Sequence, residues 1–391
     1  MSAIPSEERS DDPRLPEIDR LRGLVMVVMA LDHMRDFFDA DALRFSPTDL
    51  DRTYPFLFFT RFITHFCAPT FAVLAGVGAF LYGAKRNHKA LSLFLATRGV
   101  WLILLDAIVI SPVWGGPGRI SLGTLWAIGC GLLALSVLSL ARPAVVFAIG
   151  AAIILGHNLL DGIHAADLGA FAPWWRLLHE PGALPLDLPG RVLYPALPWI
   201  GVLALGYGVG PLFQRSAQER DSILLKAGLG ALALFILLRA PNLYGDPRAF
   251  ALRADGIGSA LSFLNVTKYP PSLLYLLVTL GGAALALPAL ERLGGAAGRA
   301  LAIFGRTPLF FYVLHLYVGV AAVLALAAWR GYSLEDIAAV VKSGAPPDDF
   351  GTGLAGAYLI WILVVIGLYP LCRWFAEIKR RRSDLWWLSY L

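Results

Sequence analysis

The feature that most narrows the possible folds of this chain is the recurrence of apolar runs along nearly its whole length. They fall at roughly 21–38, 55–83, 99–113, 120–141, 143–160, 192–213, 222–239, 271–290, 300–328 and 354–372. A helix needs about 20 largely apolar residues to cross a bilayer. Inside lipid each backbone N–H and C=O must find its partner within the protein, so a run of this kind crosses as a helix. The expected fold is therefore all-α: a polytopic integral membrane helix bundle of about ten transmembrane helices. Composition agrees, with 57% of the 391 residues hydrophobic and only 16% charged. A single membrane domain at 21–372 is expected, between a polar tail at 1–20 and a basic tail at 373–391.

Lys and Arg number 33 against 28 Asp and Glu, a formal net charge of +5. In a soluble protein such an excess would suggest nucleic acid; here its placement argues against that partner. Lys85, Arg86, Lys89, Arg98, Arg142, Arg215, Arg220 and Arg380–Arg382 fall in connections on the side of the two termini. Basic residues in short loops are retained inside, so both termini are expected in the cytoplasm. Membrane lipid, anionic near the Arg380–Arg382 tail, is the expected surface partner. Residues 1–20 are polar and contain Pro5, Pro13 and Pro16, so the first apolar run reads as an uncleaved anchor. Cys67, Cys130 and Cys372 lack paired spacing and read as packing residues. The long outer connections, about 39–54, 158–191, 240–270 and 329–353, are the natural carriers of substrate contacts. In one of them, Phe171-Ala-Pro-Trp174-Trp175 reads as an interfacial anchor or a stacking surface.

Ionisable groups at membrane depth are costly and mark function. The first run, EIDRLRGLVMVVMALDHMRDFF, holds Arg22 near its start and Asp32, His33, Arg35 and Asp36 near its end. At ~1.5 Å per residue, His33 lies about 16 Å deeper than Arg22, near the middle of a ~30 Å core. Asp32 and Asp36 share a helix face, with Arg35 three residues from Asp32. The set reads as a catalytic centre or as a polar knot between helices. Arg61 and His65 lie four apart in TRFITHFCAP, where Pro69 is expected to loosen the helix. Asp106 stands alone in the third run as a relay or a counter-ion. Late in the chain, Arg306 and His315 sit in FGRTPLFFYVLHLYV, positioned to bracket an elongated ligand, and Lys268 and Tyr269 sit in TKYPPS at the outer mouth of the eighth run. Lys85 and Arg86 suit phosphates but also serve topology.

Taken together, IDRLRG with its continuation, FFTRFITHFCAPTFAVLAG, LWAIGCG, YPALPWIGVLALGYGVG, TKYPPSLLYLLVTLG and GRTPLFFYVLHL resemble the bacterial branch of the heparan-α-glucosaminide N-acetyltransferase-like membrane family. The likeness to the wider transmembrane acyltransferase group is looser. The resemblance implies a multi-pass protein of the cell inner membrane, with acetyl-CoA as cytoplasmic donor and an amine or hydroxyl of an extracytoplasmic sugar or glycan as acceptor. It gives Arg22 the place of the opening arginine and His315 that of a histidine in the late block. Lysosomal members carry their catalytic histidine in the loop after the first span, yet none occurs here between His33 and His65. Either His33 or His65 takes that role, or this branch does different chemistry.

On this reading His33 is the general base, with Asp32 or Asp36 orienting it and His65 as the alternative. Arg35, Arg61, His315, Lys268 and Tyr269 face the acceptor, and Arg22, Arg306, Lys85 and Arg86 hold the donor's phosphates. No metal is expected, and a site built from His33, His65, His315 and Asp32 is a third reading. A homodimer is admitted. The second reading is a proton-coupled transporter or flippase for a glycan or small molecule, in which the same Asp, His and Arg set relays protons.

Overall fold

A computed structural model describes residues 15–333 and 349–382, together with 335–337, 340, 347, 384, 385 and 388. The expected N-terminal tail lies outside the described residues as far as residue 14, and the C-terminal tail does so in part.

The chain is an all-α bundle. Its helices are α1 (Pro16–Phe38), α2 (Pro55–Thr64), α3 (Cys67–Gly83), α4 (His88–Leu105), α5 (Ser111–Gly115), α6 (Thr124–Leu138), α7 (Pro143–Gly156) and α8 (Ala172–Leu178), followed by α9 (Ala196–Val209), α10 (Ala217–Arg239), α11 (Gly256–Leu264), α12 (Leu273–Arg292), α13 (Gly295–Arg306), α14 (Pro308–Trp329) and α15 (Leu354–Arg381). Their starts follow from local chemistry. Pro opens α1, α2, α7 and α14, where its missing N–H costs nothing. Asn87, Ser216, Asp255 and Ser272 cap α4, α10, α11 and α12 by accepting from a backbone N–H three residues on.

Among the described residues, eight helical stretches are long and apolar enough to cross a membrane. The charge-bearing α1 and the 15-residue α6 occupy the other two apolar runs. Large apolar side chains point outward, among them Leu229, Ile236 and Leu237 on α10 and Leu363 and Ile366 on α15. Water would penalise such a belt, whereas acyl chains would not. Close helix approach depends on small residues: a Cβ on Gly206 of α9 would stand 2.2 Å from the Val73 carbonyl of α3.

The helices depart from the apolar runs in three places. The run at 55–83 breaks at His65–Phe66, four residues before Pro69, because proline cannot donate to the His65 carbonyl. Tyr275 Oη supplies the missing bond, donating to that carbonyl at 2.7 Å. The run at 300–328 is two helices, because Pro308 drives Thr307 out of the helical region, to φ −127° and ψ 42°. The third run starts earlier, at His88, and passes through a π-helical turn, Asp106–Ile110, before α5. That turn delivers the Asp106 carboxylate to the backbone N–H groups of Gly123, at 2.6 Å, and Trp126, at 3.1 Å, at the start of α6. Asp106 is thus a cap between helices.

A small sheet lies among the connections. β1 (Ile120–Leu122) pairs in parallel with β3 (Gly190–Val192), which pairs antiparallel with β2 (Gly182–Ala183). Phe171 and Trp174 are exposed, while Trp175 Nε1 donates to the Ile163 carbonyl at 2.9 Å.

Candidate active site

The site is built along α1. Its first turns are fixed to α12 and α13 by the charged residues of the opening motif. Arg20 Nη1 donates to the Leu290 and Glu291 carbonyls at 3.0 and 2.7 Å, satisfying groups left open at the end of α12. Glu17 accepts from Arg220 at 2.7 Å, and Arg220 also pairs with Glu291. Asp19 joins Arg22 at 3.3 Å to Arg306 at 3.2 Å, and Arg22 donates to the Gly305 carbonyl at 3.1 Å. The glycine of the motif permits this approach: a Cβ on Gly23 would stand 1.9 Å from the Leu301 carbonyl, and one on Gly305 1.8 Å from the Asp19 carbonyl.

Above this seam a cavity of about 350 Å³ opens beside α1. Arg22, Arg98, Arg306 and Lys379 line it with basic groups; Met26, Met29, Leu125 and Tyr312 line it with apolar surface. Lys85 and Arg86 are not in its lining, and Arg86 instead lies over the Tyr82 ring at 3.6 Å.

One turn further along α1 a cluster of ions forms. Asp32 is buried and accepts from Arg35 at 2.7 Å, from Arg61 Nη1 at 2.8 and 2.7 Å, and from the Thr64 hydroxyl at 2.6 Å. Arg35 also meets Asp36 at 2.6 Å, and Arg61 Nη2 donates to Tyr269 Oη at 3.3 Å. Lys268 lies over the Tyr269 ring, 5.4 Å from its centre. A buried carboxylate with this many donors is held as an anion, and removing one partner would leave an uncompensated charge.

His33 lies elsewhere than expected. It makes no bond to Asp32 or Asp36; its Nδ1 lies 2.7 Å from Nε2 of His315. The rings are nearly coplanar, 6° apart, with centroids separated by 5.0 Å, the geometry of a hydrogen bond in the ring plane. His315 is fully buried, and its Nδ1 lies 2.8 Å from the Phe311 carbonyl. A carbonyl only accepts, so that contact assigns the proton to His315 Nδ1 and leaves Nε2 as an acceptor. Nε2 in turn takes the proton of His33 Nδ1. The chain from Phe311 through His315 therefore leaves the neutral His33 with a lone pair on Nε2, the form a general base requires.

His33 is flanked by Tyr312, with centroids 6.2 Å apart, and meets Trp114 edge to face at 5.0 Å. Tyr312 lines the basic cavity. Trp114 lines a second cavity, of about 690 Å³, with Arg119, Ser121, Arg191 and Tyr317. His33 lines neither cavity but packs between a wall residue of each, Tyr312 of the first and Trp114 of the second. The first runs beside Arg22–Met29; the second begins at Trp114, which also stacks on Phe37.

Among the expected residues, Asp32, Arg35, Asp36, Arg61, Lys268 and Tyr269 come together in the ion cluster, His33 and His315 in the pair, and Arg22 and Arg306 at the first cavity. His65 joins none of these by a hydrogen bond: its ring is buried beside Phe62 and Tyr275, and its Nδ1 has no hydrogen-bond partner among the described residues. Tyr312, Trp114 and Lys379 are not among the expected site residues, and Arg98 is expected only as a topological charge. Tyr312 precedes His315 by one helical turn and was legible from that spacing; Trp114 reaches the site through a π-helical turn that no sequence pattern announces.

Residues 14–241 match the family model described as heparan-alpha-glucosaminide N-acetyltransferase, catalytic. No curated protein matches the chain. The matched stretch includes α1 with His33, the Arg61 segment, Trp114 and both arginines of the second cavity. Lys268, Arg306 and His315 lie beyond it, and the fold folds them back onto α1. As the match spans more than half of the chain, this multi-pass membrane protein belongs to the heparan-alpha-glucosaminide N-acetyltransferase catalytic family, a family of transmembrane acetyltransferases.

Proposed function

We propose that the protein transfers an acetyl group from acetyl-CoA, bound from the cytoplasmic side, to an amine or hydroxyl of a sugar on the opposite side of the inner membrane. The observation that carries this reading is the contact of His33 with a wall residue of each of two cavities: Tyr312 in the one that four cations line, and Trp114 in the one lined also by Arg119 and Arg191. The donor's phosphates would meet Arg22, Arg98, Arg306 and Lys379, because guanidinium and ammonium groups are the natural partners of phosphate oxygens. The apolar stretch of Met26, Met29 and Leu125 would carry the pantetheine arm toward Tyr312.

The acceptor nitrogen or oxygen attacks the thioester carbonyl carbon while His33 Nε2 takes its proton. The C–S bond then breaks, and the CoA thiolate leaves and recovers that proton as the free thiol. His315 is assigned the orienting role that the sequence reading gave to Asp32 or Asp36. Asp32 is assigned to fix Arg61 and, through it, Tyr269. Direct transfer is preferred, as no serine or cysteine is hydrogen-bonded to the His33–His315 pair among the described residues. The three donors on Asp32 favour a fixed anchor over a proton relay, so the transporter reading gains no support from them. Residues 21–372 form the membrane domain on this proposal, although α15 runs on to Arg381.

The test is donor binding and turnover. Purified protein in nanodiscs is expected to bind CoA by calorimetry, and Arg22→Ala, Arg98→Ala and Arg306→Ala to raise KM for acetyl-CoA with kcat largely kept. Absence of CoA binding by the unaltered protein would end the proposal.

A further inference from the structure

Away from the His33 pair, the end of α7 and the segment after it bring His157, Asp161 and His179 together, with one potential ligand atom from each lying within 4.8 Å of the others. We propose that these three side chains form a divalent metal site, with Zn²⁺ as the best-suited ion, which ties the 157–180 connection to the segment that precedes α12.

The histidines carry the argument. His157 is 2% exposed and His179 3% exposed, so neither ring is solvated. Neither ring nitrogen of His157 has a hydrogen-bond partner among the described residues. A buried imidazole with two open nitrogens is rare unless something else occupies one of them. The Pro271 backbone carbonyl is near enough to act on the ring. It is placed to accept the N–H of one nitrogen while the other ligates, the usual arrangement around a metal-bound histidine.

The third side chain is prepared in the same sense. Asn158 Nδ2 donates to Asp161 Oδ2 at 2.8 Å, leaving Oδ1 on the side of His179, whose Nε2 is 3.7 Å away. Zinc bonds of about 2.0–2.2 Å at tetrahedral angles separate ligand atoms by about 3.3–3.6 Å. The Asp161–His179 spacing is therefore within a few tenths of an ångström of a ligand edge, while the His157 nitrogen, within 4.8 Å of both, closes on the ion as it binds. Without metal, His179 Nε2 lies 2.9 Å from the His157 carbonyl. On loading, Nε2 exchanges that carbonyl for the ion and the proton moves to Nδ1. Two imidazoles and a carboxylate are a donor set suited to zinc.

Burial argues for a positioning role. The Asn158 side-chain oxygen accepts from Leu273 N at 2.9 Å, at the start of α12. A metal beside Asn158 would thus hold the start of the helix that follows Lys268 and Tyr269.

The experiment uses the full chain in detergent, stripped with EDTA and titrated with Zn²⁺ alone, with metal content and thermal unfolding as readouts. One equivalent of zinc per chain is expected, together with a raised Tm; free zinc at a hundred times its Kd would favour the folded state about a hundredfold. His157→Ala, His179→Ala and Asp161→Ala are each expected to abolish the equivalent and the Tm rise, while His164→Ala, at an exposed position of the same connection, keeps both. No stoichiometric zinc on the unaltered protein, or unchanged binding in the His157→Ala/His179→Ala double variant, would overturn the proposal. Neither readout depends on acetyl transfer.

Discussion

His315→Phe tests the proposed relay most directly. The phenyl ring keeps the packing against Phe311, whose ring centroid lies 5.0 Å away, but removes the acceptor 2.7 Å from His33 Nδ1. Positive charge develops on His33 as it takes the acceptor's proton, and the lost bond becomes charge-assisted at that moment. Hydrogen bonds to charged groups contribute about 1.5–3 kcal/mol, so kcat should fall about 10- to 150-fold with little change in KM. His33→Ala removes the base itself and should cost about 10²–10⁴-fold. Because His315 acts only through His33, the double variant should be no slower than His33→Ala, in contrast to the product expected for independent sites. His315→Gln, whose amide oxygen can accept from His33, should recover part of the loss. CoA thiol release in nanodiscs with glucosamine as acceptor reads all four variants, and thermal unfolding checks that each is folded. A His315→Phe enzyme within twofold of the parent, or multiplying losses in the double variant, would refute the relay.

Three further outcomes follow from the packing. Gly23→Leu forces side-chain atoms into the Leu301 carbonyl and should lower the thermal midpoint by an amount equivalent to about 1–3 kcal/mol or more, whereas Gly230→Ala, inside α10 where a Cβ meets nothing within 4 Å, should be neutral or stabilise by up to about 1 kcal/mol. Asp32→Asn leaves Arg61 without its buried anion and should destabilise by about 3–5 kcal/mol; Thr64→Val, losing a single bond to that carboxylate, should cost about 1.5–3 kcal/mol, both read by denaturation in detergent. Asn87→Cys and Ala166→Cys, both at exposed positions, should react with an impermeant maleimide from opposite sides of the membrane; labelling of both from one side would overturn the topology expected from the charge distribution.

The sequence alone settles the class of fold, because ten apolar runs have only helices available to them in lipid and because proline and capping residues mark where those helices begin. It also singles out Arg22, Asp32, His33, Arg61 and His315, since a titratable group within or beside an apolar run stands out. It does not reveal which of these groups meet. Asp32 and His33 are adjacent in the chain, yet neighbouring helical residues point about 100° apart. Asp32 consequently turns to Arg61 on α2, and His33 turns to His315 on α14. That partner, 282 residues away, is chosen by how α1 seats against α13 and α14 through Gly23 and Gly305. Tertiary packing likewise brings a wall residue of each cavity against one histidine, and the asymmetry of that site exists only once the helices have come together.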